Sequence, residues 1–575
     1  MSRINPLINN FSFGEMSPLT MGRVNSAQYM AGCQTVENML PDPRGGIANR
    51  GGSVYVAEVK DSTKAVRLVP FVVSEIEAYV LEIGDQYIRY YDTNHAQVES
   101  SPSVAYETAS PWLEAELRDV HFAQSNDELR LVHDGYHPRR LTYTSATSWA
   151  IANDTNTGAP WDGNADGHAD GFPRSICFYE QRLWFGGTLL KPNYLWGSRV
   201  ADFVQFTIPG TPANDDPVEY AIAAYTRDTI QWLSPSGVLL IGTTGAEFRL
   251  IPDAYIATDR LPDLNAKSNY GSRHIVPARL GAQTLFVQSS GRELRSYELN
   301  TKSNVEVYES LDLSFLSEHI TEGGIVEMAV QKSPRSVLWA VRSDGVLLSM
   351  TYDPSLQGTG FEGLGWARHD LGGTVESVCV IPNNGIDEVW VAVNRTIDGA
   401  TARYVEYLSD SVYTDSSLYW TGTATDTITG LDHLEGETLD VVADNAVQPQ
   451  VTVSSGQIIL NAAATEVWAG LRFTPLVTPN IYEGGNPAGT SLGSNKSWGP
   501  VSIKLHESGL PLVNGDRAPD RSPASPMDAT EPLVTGNIDV SPPSQDSEAE
   551  ITISQDLPLP LNILAIHGNL AVNQG

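Results

Sequence analysis

One hairpin unit recurs along most of this chain, and the recurrence limits what the chain can fold into. Its first copy spans 66–92, VRLVPFVVSEIEAYVLEIGDQYIRYYD, with an apolar run, a polar turn at 74–77 and two alternating runs around Gly84 and Asp85. Tyr79, Leu81 and Ile83 share one face while Val80 and Glu82 share the other, the period-two signature of a half-buried strand. Gly84 is expected to supply the positive φ of a tight hairpin, with Asp85 following it. Further copies lie at 117–143, 173–206, 229–251, 277–299, 325–352 and 374–408. Their turn glycines run from Gly84 to Gly399 in six intervals, a period of about 52 residues.

That period holds roughly four strands and their turns, which is one propeller blade. A single twisted four-stranded sheet cannot bury both faces, whereas a ring of about seven can. Residues 61–410 are therefore read as a β-propeller, with a stacked array of sandwiches as the alternative. Signature motifs of familiar propellers are missing: no GH…WD pairs at WD spacing, no repeated kelch Gly-Gly and no S-x-D-x-G-x-T-W box.

The flanks differ. In 1–60, Asn25 is expected to N-cap a helix, with Gln28 reaching back as in a capping box. Tyr29, Cys33, Val36 and Leu40 then form one apolar stripe that stops before Pro41, so a short amphipathic helical arm is expected. Residues 411–480 read as a small, platform-like antiparallel β domain, with short strands at 439–442, 451–453, 458–460 and 470–473. Residues 481–575 are rich in loops, with strands at 501–506 and 550–554 and an apolar PLPLNILAI that complete a β domain. The fold class is all-β: a propeller of about seven units, an N-terminal helical arm and a smaller C-terminal β domain.

With 41% hydrophobic residues, the 575-residue chain has enough apolar surface for real cores. No apolar run approaches the ~18 residues of a membrane span, and MSRINPLINNFSFGEM lacks a signal-peptide core, so no such secretion is expected. Cys33, Cys177 and Cys379 are far apart and read as buried reduced thiols. The net charge of −33 argues against a surface that grips a phosphate backbone. It fits simple solubility by self-repulsion, and also a surface that nucleic acid passes without sticking.

One stretch has metal-ligand spacing. In DGNADGHADG, Asp162, Asn164, Asp166, the His168 carbonyl and Asp170 fall at positions 1, 3, 5, 7 and 9 of an EF-hand-like loop, with Gly167 at the turn. Position 12 is Pro173 instead of a bidentate Glu, so an acidic glycine-rich loop without calcium is the competing reading. His121, His133 and His137 match no zinc spacing and are read as surface or interface side chains. The Gly242 to Gly245 turn has no Lys or following helix for phosphate, and Ser289, Ser290 and Gly291 lack a nucleophile elbow. Trp184, Trp196, Trp339 and Trp390 sit on strands and are read as core. No catalytic constellation stands out, so no enzyme activity and no cofactor beyond the calcium candidate are expected.

Phe13, Gly14, Glu15, Met16, Ser17 and Pro18, then Gly22, Arg23, Tyr29, Gly32, Cys33 and Asn38, then Gly45, Gly46, Arg50 and Gly51, resemble the opening of podovirus tail nozzle proteins. These are also called tail tubular protein B or phage stabilisation proteins. The likeness continues through 67–71, 78–91, 117–124, 174–184, 230–232, 338–339 and LDHLEG at 431–436, and reaches 555–566. It implies a virion tail protein assembled in the host cytoplasm as a homo-hexamer. The ring would dock on an adaptor ring, contact tail fibres or spikes, and surround DNA passing its lumen without sequence-specific binding. Six copies would carry roughly −200 formal charges, and carboxylates facing a channel repel phosphate within a Debye length of ~8–10 Å. The alternatives are a virion-associated propeller enzyme or glycan-binding module acting on host polysaccharide, and a monomeric binding module.

Overall fold

The computed structural model describes residues 2–161, 171–211, 213–223, 228–251, 263–300, 307–356, 363–483, 491–517, 530–541, 545–546 and 549–573. The seven hairpin units fold as seven four-stranded antiparallel blades, the first six paired in sequence order. Blade 1 is Arg67–Val72, Ala78–Gly84, Tyr87–Asp92 and Glu107–Ala109. Blades 2 to 5 start at His121–Ser125, Ser175–Tyr179, Ile230–Pro235 and Ala278–Leu280. Blade 6 runs from Ile325–Gln331 to Leu364–His369. Blade 7 takes three strands from Thr374–Asn383, Ile386–Ile397 and Ala400–Ser409, and its fourth from the N-terminal Gly52–Glu58. That closing strand runs antiparallel to Ala400–Ser409, with Val54 opposite Tyr407. The ring therefore begins ahead of residue 61, inside the segment the sequence assigns to the arm.

Every neighbouring pair of blades shares a buried apolar seam. Val69 and Phe71 meet Leu129 and Leu131 between blades 1 and 2. Val132 packs with Ile176 and Phe185 next, then Leu195 with Ile230 and Ile241. Trp232 meets Phe286, Leu285 meets Leu338, and Val337 meets Val391. Ile381 and Trp390 on blade 7 pack on Leu68 and Val80 of blade 1, so the seventh seam closes the circle. Among the described residues, no strand of the first five blades pairs with a strand of another blade. With each buried Val, Leu, Ile or Phe contributing roughly 1.5–3 kcal/mol, the seams hold the ring.

Two local expectations change. The left-handed residue of the first hairpin is Gln86, at φ 65, not Gly84. Gly84 is required for close approach instead: a Cβ there would lie 2.2 Å from the Tyr87 ring. The helix of the arm is a single turn, Ala27–Met30, capped by Ser26 rather than Asn25. The Ser26 hydroxyl accepts the Tyr29 N–H at 3.1 Å. Cys33, Val36 and Leu40 lie on the strands Cys33–Glu37 and Met39–Pro41. Pairing of Cys33–Glu37 with Leu476–Pro479 wins over the helical period, because it buries Cys33 and Val36 completely.

Two further β bodies flank the ring. Asp415–Thr429 pairs with Gln457–Leu471, and Thr438–Ala443 with Ala446–Thr452, around Leu431, Leu439, Val441 and Val467. The two chain ends meet in one sheet of Met39–Pro41, Ile47–Asn49, Asn562–Asn573, Asn495–Ser508 and Val534–Val540. Its core holds Phe11, Ile47, Val501, Ile503, Ile563 and Ile566. The described parts of 2–49 and 491–573 thus contribute to one body rather than two. Among the described residues, no helix is long and apolar enough to cross a membrane.

Candidate functional site

Inner strands of blades 1, 5, 6 and 7, with Phe122 of blade 2, line one cavity of about 330 Å3. A cavity touched by five of seven blades lies on the ring axis. Polar side chains from successive blades bind one another beside it. Arg67 Nε donates to Glu327 Oε1 at 2.8 Å, and its Nη1 donates to the carbonyls of Leu117 and Val120 at 2.8 and 2.6 Å. The other Glu327 oxygen accepts the Ser377 hydroxyl at 2.5 Å and the Val378 N–H at 3.2 Å. Leu68 N–H donates to the Ser377 oxygen at 2.9 Å. Blades 1, 2, 6 and 7 are thereby tied by hydrogen bonds in addition to their seams.

Two histidines extend this layer. The His121 and His274 rings stack at 3.9 Å with planes 6° apart. His274 Nδ1 lies 2.7 Å from the Gln231 carbonyl and Nε2 lies 3.2 Å from that of Asp119. Burial and the Arg174 guanidinium hold the His274 pKa down at about 4. Burial, with His274 and Arg67 nearby, pushes His121 well below the ordinary histidine range. Both rings are neutral at pH 7, which suits two stacked imidazoles between arginines.

The calcium candidates Asp162, Asn164, Asp166, His168 and Asp170 lie outside the described residues. Among the described residues, no group of three or more His, Cys, Asp or Glu side chains is placed to hold a metal. His133 is buried rather than superficial, and its Nδ1 accepts the Gly135 N–H at 2.9 Å. Trp184, Trp196, Trp339 and Trp390 are all buried. The three cysteines are free and buried, and burial raises the Cys33 and Cys177 thiols far above their ordinary value. Sequence reading missed Arg67, Glu327 and Ser377. The usable signal was a shared slot: Arg67, His121, Glu327 and Ser377 are polar residues near the start of their blades' inner strands.

A second polar cluster joins the N-terminal segment to the ring. Gly14 sits at φ +58, and a Cβ there would lie 2.3 Å from the Trp366 carbonyl oxygen. Glu15 is buried; it accepts the Val36 N–H at 2.8 Å and meets His319 and Arg368, each at 2.9 Å. Asn38, at φ 55, uses its Oδ1 to accept from Arg50 Nε and from the Asp370 N–H, both at 3.0 Å. Arg50 then clamps Asp415 through two hydrogen bonds of 2.8 and 2.7 Å, with side-chain exposures of 0% and 1%. Arm, blade 6, closing strand and small β body converge here.

No protein-family model matches the chain, and no curated protein matches it. Among solved structures it is similar to the Neurospora crassa Pan2 WD40 domain, at 9% identity over 63% of this chain and 96% of that one, TM-score 0.32. It is also similar to the Myceliophteria thermophila Cps50 (Swd1) β-propeller domain, at 8% over 62% and 100%, TM-score 0.38. The WD40 propeller domain of Doa1 matches at 9% over 63% and 98%, TM-score 0.35. On its own strand order and its seven seams, the chain is an all-β protein built on a seven-bladed β-propeller.

Proposed function

We propose that this chain is the repeating subunit of a structural ring, the hexameric nozzle at the distal end of a short phage tail. It would dock on an adaptor ring, contact tail fibres and surround DNA during ejection. The observation that carries the reading is where the nozzle-like residues lie. Gly14, Glu15, Cys33, Asn38 and Arg50 form the buried junction between arm and ring, where left-handed backbone and enclosed charge demand particular residue types. A resemblance on such positions follows from a shared way of building the molecule. The net charge of −33 supports a non-adhesive conduit wall. Beside the junction, Leu19 and Phe315 are 81% and 69% exposed on the rim of one groove, an apolar face suited to a neighbouring subunit.

Electron microscopy of the purified protein with its adaptor is expected to show six-fold rings. Leu19→Asp with Phe315→Asp is expected to leave the melting temperature unchanged and to abolish those rings. A monomer that ignores the adaptor and depolymerises capsule polysaccharide would replace this reading with the enzyme alternative.

A further inference from the structure

The axial cavity has an unusual charge balance. Arg67, Arg118, Arg279 and Lys332 reach it against one carboxylate, Glu327. The chain as a whole has the opposite balance, with 36 basic and 69 acidic residues. Arg67 and Glu327 neutralise each other, so three cations remain. Arg118 is exposed and gives one N–H to the Glu376 carbonyl at 2.9 Å. Arg279 and Lys332 are exposed, and among the described residues neither side chain has a carboxylate within ion-pair distance. The carboxylate beside Lys332 is that of Asp387, and it is occupied by the backbone N–H groups of Lys332 and Ser333 at 2.7 and 3.1 Å.

Other features narrow the ligand. Between the cations the wall is apolar, with Phe122, Met328, Val330 and Val380. Each of the seven inner strands is the end strand of its sheet, so one edge pairs with no strand; side chains already take part of it, the Leu68 N–H on Ser377, the Val378 N–H on Glu327 and the Val72 N–H on Gln124. Cations want carboxylates, apolar walls want apolar side chains, and the edge groups that side chains leave open want an extended backbone. A cavity of about 330 Å3 is too small for a nucleic-acid duplex, whose major groove alone is ~12 Å wide. Free phosphate would meet the cations and leave the walls and edges unused.

We propose that the propeller axis binds an extended acidic peptide segment of a partner protein, with Asp or Glu side chains held by Arg118, Arg279 and Lys332. The proposal is independent of the ring reading, because the site lies within one subunit.

The test uses the full-length protein and fluorescein-labelled decapeptides that alternate Asp or Glu with Leu or Val, beside copies carrying Asn and Gln. Fluorescence anisotropy is expected to show saturable binding of the acidic peptides, weakened at least roughly tenfold in the amide copies. Arg279→Glu with Lys332→Glu is expected to weaken binding by at least as much while leaving the melting temperature unchanged. Arg279→Gln with Lys332→Gln, which removes charge without reversing it, is expected to fall between. Binding should weaken as salt shortens the Debye length. Equal binding of acid and amide peptides, wild-type affinity in both double variants, displacement by millimolar inorganic phosphate, or no saturable binding would each overturn the proposal.

Discussion

Arg50→Met is expected to destabilise the protein by about 3–5 kcal/mol, the cost of stranding one partner of a buried pair. The geometry places the effect at the upper end. Arg50 does more than neutralise Asp415, since its guanidinium also donates to Asn38 Oδ1, to the Gly51 carbonyl at 3.0 Å and to the Asp370 carbonyl at 2.7 Å. Asp415 in turn accepts the Ser53 N–H at 3.1 Å, and the Ser53 hydroxyl donates to Glu406 at 2.5 Å. Glu406 is held by Arg395 through bonds of 3.0 and 2.8 Å, again with neither side chain exposed. Removing the guanidinium therefore leaves one carboxylate and three other acceptors short of a donor in a largely buried cluster. Asp415→Asn is expected to cost a similar amount by leaving Arg50 charged and unmatched. In Arg50→Met with Asp415→Asn the two losses should not add, and the coupling should exceed ~1 kcal/mol. Chemical denaturation of the four proteins measures it. A loss below ~1 kcal/mol in Arg50→Met would show that the cluster does not hold closing strand, arm and small β body together.

How far this was legible in the sequence depends on how local each signal is. Each unit carries its own alternation and its own turn, so a repeat of about seven units was legible without any motif, though neither the blade count nor a ring was fixed by it. Ring closure was not legible, because nothing within Gly52–Glu58 indicates a partner at Ala400–Ser409, more than 340 residues away. The helical stripe misled for a related reason. Tyr29, Cys33, Val36 and Leu40 satisfy a helical period, yet the strands that Cys33–Glu37 joins come from blade 6 and from Leu476–Pro479. Non-local pairing decided the matter, and a local pattern cannot see it. The axial charges were hidden in the same way: Arg67, Glu327 and Ser377 belong to different blades and meet only when the circle closes. Gly14, Glu15, Cys33, Asn38 and Arg50 were visible at once, but their common place in one buried junction was not.

Stability is expected to be level between pH 7 and 8 and to fall as the pH drops from about 6.5 toward 4, the window set by the buried histidines. In the unfolded chain each histidine takes up its proton near the ordinary value of about 6.5. In the fold, burial and Arg174 hold His274 down at about 4. Burial also pushes His121 and His369 well below the ordinary range, the latter helped by Arg50. Across the window the unfolded state binds protons that the folded state refuses, so acid favours unfolding. For His274 alone, a span from about 6.5 to about 4 corresponds to roughly 3 kcal/mol. Two buried carboxylates act in the opposite sense. Burial raises Glu82 and Glu247, so the folded state takes up their protons first and gains stability as the pH falls toward the ordinary carboxylate range. Arg342 beside Asp344 lowers that carboxylate, so its contribution is lost only below the histidine window. Because His121 and His274 lie in the polar layer beside the axis, their protonation would place like charges against Arg67 and Arg174 and loosen the blades there first. Thermal melts in steps from pH 8 to 4 give the slope, and His274→Gln is expected to flatten it. A pH slope that His274→Gln leaves unchanged would show that this histidine accepts its proton in the folded ring.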